Sequence, residues 1–103
     1  MSEVQNKVLT ILYESDKEVT YQELTELCRE DSRLREICNW QWQESLSEPQ
    51  WYSFEISQTL WNLLGLGFAE EIVGSGSTRY RLSKEGAIIA DHVRRQISTK
   101  DDT

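Results

Sequence analysis

The sequence predicts an α+β, mostly helical domain, and three observations carry that expectation. Ile56, Leu60, Leu63 and Leu64 recur at helical spacing before the punctuating Gly65 and Gly67. Two segments of alternating pattern then flank Gly74-Ser75-Gly76-Ser77, as the strands of a hairpin flank their turn. Further apolar stripes of helical period run through residues 3–15, 20–28 and 83–97. A chain of 103 residues supplies one core and no second domain, burying roughly 65% of the surface that the unfolded chain exposes. Four tryptophans and a hydrophobic content of 38% exclude a wholly disordered chain.

The elements follow in order. Glu3 to Ser15 reads as a first helix with Val4, Val8, Ile11 and Leu12 on one stripe, ending at the polar turn Asp16-Lys17-Glu18. Val19 makes a short bridge. Thr20 opens a second helix with Glu23 three residues on, a capping box that satisfies two orphan amides and contributes about 1 kcal/mol. That helix buries Leu24, Leu27 and Cys28. Arg29 to Tyr52 is too long for a simple turn between two helices, so about residues 30–52 form an insertion. Within it Asp31 or Ser32 caps a helix presenting Leu34, Ile37, Cys38 and Trp42, and Pro49 suits the first turn of the helix that follows. This next helix begins at Glu55 and buries Ile56, Leu60 and Leu63, while Glu55, Gln58, Thr59 and Asn62 take the opposite face. After the hairpin, Ser83 caps a last helix to about Ile97, with Ile89, Val93 and Ile97 every four residues and Ile88 beside them. The domain is expected over residues 1–97, with 98–103 a disordered tail.

Charge and composition narrow the function classes. Residues 1–60 carry twelve acids against five bases and residues 61–103 carry six of each, which accounts for the net charge of −7. Such a field repels polyanions beyond a local basic patch. Arg79 and Arg81, two apart on the second hairpin strand with Lys84 just beyond, form the candidate patch for phosphates, or else a solvated edge that discourages aggregation. No apolar run approaches the length of about 18 residues that a membrane span needs. MSEVQNK lacks a secretory leader, so a cytoplasmic location is expected. Cys28 and Cys38 read as buried free thiols, and neither they nor the lone His92 have metal-ligand spacing. No metal or cofactor is expected. A phosphate-cradling loop and a paired nucleophile and base are both missing, so the chain is not expected to be an enzyme.

Helix, glycine stop, strand, Gly/Ser turn and strand together read as the recognition helix and wing of a winged helix: a three-helix core, a β-hairpin wing, an extra helix in the insertion and a C-terminal helix. The stretch from Ile56-Ser57 through Leu60 and Leu63 to Gly67-Phe68, and then Arg79-Tyr80-Arg81-Leu82-Ser83-Lys84-Glu85-Gly86, resembles winged-helix regulators of the MarR and PadR type. The resemblance covers residues 55–93 well and 4–28 weakly. It implies a DNA-binding domain acting as a homodimer, and so a transcriptional regulator.

The residues themselves offer base contacts through Gln58, Thr59 and Asn62, although the helix holds no Lys or Arg to anchor phosphates. Duplex DNA is therefore the first expected partner, read by Gln58, Thr59 and Asn62 and held by Arg79, Arg81 and Lys84. The alternative is an acidic winged-helix module that binds protein and no DNA, with Trp40, Trp61 and the last helix as contact surfaces. Ile88 and Ile97, if they project, are the candidate dimer contacts. Trp40, Trp42 and Trp51 of the insertion either staple it to the core or anchor a partner.

Overall fold

Local hydrogen bonding at Ser2 starts the first helix. The Ser2 hydroxyl accepts from the Gln5 amide, and the Ser2 amide donates to the Gln5 side chain at 2.9 Å, a reciprocal capping box. The structure, a computed structural model, describes residues 2–44, 49–74 and 76–101, with side chains to residue 96. It is α+β, with five helices and two small antiparallel sheets among the described residues.

Helix α1 (Glu3–Ser15) buries Val8, Leu9 and Leu12, so its inner stripe is rotated from the expected one, with Val4 and Ile11 at the margins. Asp16, at φ 52°, ends it in the left-handed conformation that Asp tolerates better than most residues. Strand β1 (Val19–Thr20) leads into helix α2 (Tyr21–Glu30) through the expected Thr20–Glu23 capping box. Asp31 then caps helix α3 (Ser32–Ile37), accepting from the amides of Arg33 and Leu34 at 3.0 Å each.

The insertion departs from expectation here. Rather than a helix through Trp42, α3 stops at Ile37, and strands β2 (Gln41–Gln43) and β3 (Gln50–Tyr52) form an antiparallel pair with Trp42 opposite Trp51. Trp40-Gln41-Trp42-Gln43 alternates with the period of a strand, and a cross-strand aromatic pair rewards that period over the helical one. Pro49 precedes β3 and lies outside any helix. The helix that follows, α4 (Phe54–Gly65), is capped by Ser53.

Gly67, at φ +79°, turns the chain from α4 into strand β4 (Ala69–Ile72), which pairs with β5 (Arg79–Leu82). Strand β5 also pairs with β1, giving the order β1-β5-β4. Of the expected turn Gly74–Ser77, Ser75 lies outside the described residues. The last helix, α5 (Lys84–Asp101), runs past the expected end at Ile97, since 98–101 contain neither Gly nor Pro to stop it. Of the expected tail, Asp102 and Thr103 lie outside the described residues.

Leu9, Leu24, Leu34, Ile56, Leu60 and Leu63 are fully buried and form the centre of the core. Helix α5 packs chiefly on α1. Among its described side chains Gly86, Ala90 and Val93 are buried; of the expected Ile89–Val93–Ile97 line, Val93 is buried, Ile89 is at the margin and the Ile97 side chain lies outside the described residues. A Cβ at Gly86 would sit 1.8 Å from the Phe68 carbonyl oxygen, so glycine is what lets α5 press against the α4–β4 turn. Ser83 fixes that junction. Its hydroxyl donates to the Gly67 carbonyl at 2.6 Å and accepts from the Gly86 amide at 3.0 Å, while its amide donates to the Phe68 carbonyl at 3.0 Å. Among the described residues no helix is long and apolar enough to cross a membrane.

Candidate functional site

Helix α4 is held at its amino end by polar contacts. The Ser53 hydroxyl accepts from the Ile56 amide and donates to the Glu55 carboxylate at 2.9 Å, and Asn39 donates to the same carboxylate at 3.2 Å. Partial burial opposes the Glu55 charge, but these bonds and its own backbone amide hold the carboxyl below its usual range. The Ser57 hydroxyl bonds the Ser53 carbonyl and the Tyr21 hydroxyl, tying the buried side of α4 to α2.

The helix faces differ from the expected division at Thr59, which is only 7% exposed. Thr59 lies three residues after Ile56 and four before Leu63, and so within the buried arc. It is not available for a base contact. Gln58 and Asn62 do face outward, as expected. The same outer side also exposes large apolar side chains: Phe54 is 64% exposed, Trp61 59%, and Leu66, just past the helix, 56%. Phe54 and Trp61 are seven residues apart and so share one stripe. Sequence reading missed Phe54 and Leu66 because it began the helix at Glu55 and ended it at the glycines.

The hairpin cations sit together but are engaged. Arg81 contacts Glu70 at 3.0 Å and Glu18 at 3.7 Å, and Arg79 contacts Glu23 at 4.0 Å. Glu70 and Arg81 are register partners across β4 and β5, so the pairing follows from the strand alignment. Lys84 is exposed at the start of α5.

Trp40 is not an exposed anchor. It is half-buried against the core, and its indole N–H donates to the Leu34 carbonyl at 3.1 Å, a second donor to an oxygen that also accepts from the Cys38 amide. Trp42 is the exposed ring of the insertion. It meets Trp51 edge to face at 5.5 Å between centroids, and the Arg29 guanidinium stacks 4.1 Å over Trp51. Ile88 on α5 is exposed, while the side chain of Ile97 lies outside the described residues.

A scan against protein-family models, a search of curated proteins and a search of solved structures each found no match to this chain. From residue 36 to residue 78 the chain contains Glu36, Glu44, Glu48, Glu55, Glu70 and Glu71 and no Lys, Arg or His. Helix α4 lies wholly inside that cation-free stretch.

Proposed function

We propose that this chain is a winged-helix domain that binds another protein through the outer face of α4. The order α1-β1-α2, insertion, α4, hairpin β4–β5 and α5 supports the winged-helix frame, with the hairpin as wing. One observation carries the interaction: Phe54 and Trp61 stand exposed along a helix that has no Lys or Arg, with Leu66 exposed just past its end. Exposed aromatic and aliphatic side chains gathered on one element mark contact surfaces, and tryptophan is enriched where binding energy concentrates. A phosphate backbone would instead meet a helix face without cations and two arginines already paired with Glu18, Glu23 and Glu70.

The DNA-binding regulator is the second reading. It rests on Gln58 and Asn62, exposed one turn apart and able to pair with adenine edges in a major groove. Exposed Ile88 supports a homodimer contact on α5 in either reading, which sedimentation equilibrium measures.

The two readings separate in a titration of random-sequence duplex DNA, followed by fluorescence anisotropy at about 50 and 200 mM salt. No binding at the lower salt is expected. Salt-sensitive binding that is lost in the Arg79→Ala/Arg81→Ala double variant would replace the protein-binding reading with the regulator.

A further inference from the structure

We infer that the occupant of the α4 face is a cationic amphipathic helix of another protein, an inference that rests on the protein-binding reading above. Charge complementarity selects the occupant. The face belongs to a stretch of 43 residues, 36–78, with six glutamates and no cation, on a chain of net charge −7. The arginines of β5 are paired with Glu18, Glu23 and Glu70, and Glu36 with Arg33, so these ion pairs cancel and the net charge of −7 sets the sign of the field that an incoming partner meets. A second copy of this chain would bring the same acids against the same face. Nucleic acid and anionic lipid are repelled likewise.

The spacing selects a helix. Phe54 and Trp61 repeat after seven residues, with exposed Gln58 between them. At Gly65 an added Cβ would meet no atom within 4 Å, so the backbone there lies open to close approach. Knobs seven apart beside a bare segment of backbone are what a second helix packs against, ridge into groove. Lysines or arginines flanking the partner's apolar stripe then meet the net negative field of the chain, which steers association.

The test uses two labelled synthetic peptides of about two heptads, sharing one leucine stripe and differing in an all-lysine or all-glutamate polar face. Each is titrated into the full chain and into the Trp61→Ser and Phe54→Ser variants, which alter exposed positions and leave the core intact. The lysine peptide is expected to bind, to weaken by about tenfold or more in either variant, and to weaken further from about 50 to 200 mM salt. The glutamate peptide is expected not to bind. Equal binding of both peptides, or lysine-peptide binding unchanged by both variants, overturns the inference. So does a dimer in sedimentation equilibrium that Trp61→Ser dissolves, because the face is then filled by a second copy. If neither peptide binds and duplex DNA does not bind either, the cationic helix falls while the protein-binding reading stands; duplex binding through Arg79 and Arg81 removes that reading itself.

Discussion

Asp31 joins two helices and a lysine through one carboxylate. It accepts from the amides of Arg33 and Leu34 at the start of α3 and from the Lys7 ammonium of α1 at 3.3 Å. Partial burial works against its charge, while the Leu34 amide, Lys7 and the Arg33 amide work for it, and together they hold its pKa below the ordinary aspartate value. Because the folded value lies below the unfolded one, the carboxylate's contribution is present above the unfolded pKa and is lost as pH falls through the folded one. Asp31→Ala is expected to lower stability by about 1 kcal/mol at neutral pH. In urea unfolding the gap between variant and parent should narrow below about pH 4; a gap of constant size would assign the loss to packing. This cap was legible in the sequence because capping is local, needing only an Asp just ahead of an apolar period. Thr59 was misassigned, because its polar side chain outweighed a spacing, three after Ile56 and four before Leu63, that already put it in the buried arc.

Among whole elements, α5 owes its seat to one missing methyl group. Gly86→Ala would place Cβ 1.8 Å from the Phe68 carbonyl, and backbone there cannot yield as a side-chain tip could. Thermal unfolding is expected to show a loss of about 2–3 kcal/mol. Gly65→Ala serves as the contrast, since the open space at that helical position should let alanine raise stability by up to about 1 kcal/mol. If both substitutions had the same small effect, close approach at residue 86 would not be what positions α5. Helices α1, α2 and α4 were readable because each carries its own period and a polar start. The β2–β3 pair was not, because Leu34, Ile37, Cys38 and Trp42 satisfy a helical spacing while residues 40–43 also satisfy a strand's. Only the cross-strand partner Trp51, nine residues on, breaks the tie.

At the scale of the molecule, the two thiols report how the core opens. Burial first, then the nearby Cys38 and Asp31, pushes the Cys28 thiol up to about 12, and burial followed by Glu55 raises that of Cys38. A disulfide-exchange reagent near about pH 8 is therefore expected to modify the folded chain slowly, at a rate that rises with urea well below the unfolding midpoint. Fast labelling of both cysteines without urea would show that the core around α2 and α3 is not closed. The acidic balance of the molecule was plain from composition. Its candidate face was only half legible: Trp61 stood out, but the stripe needs Phe54, and Phe54 joins it only once Ser53 is known to be the cap.

The hydrogen bonds of Ser83 tie the exit of α4 and the entry of α5 into a single joint. The two helices cannot tilt separately without breaking it. A tilt of α4 would have to carry the start of α5 with it, as a crank turns its shaft, with Ser83 as the pin and α1, on which α5 lies, as the bearing.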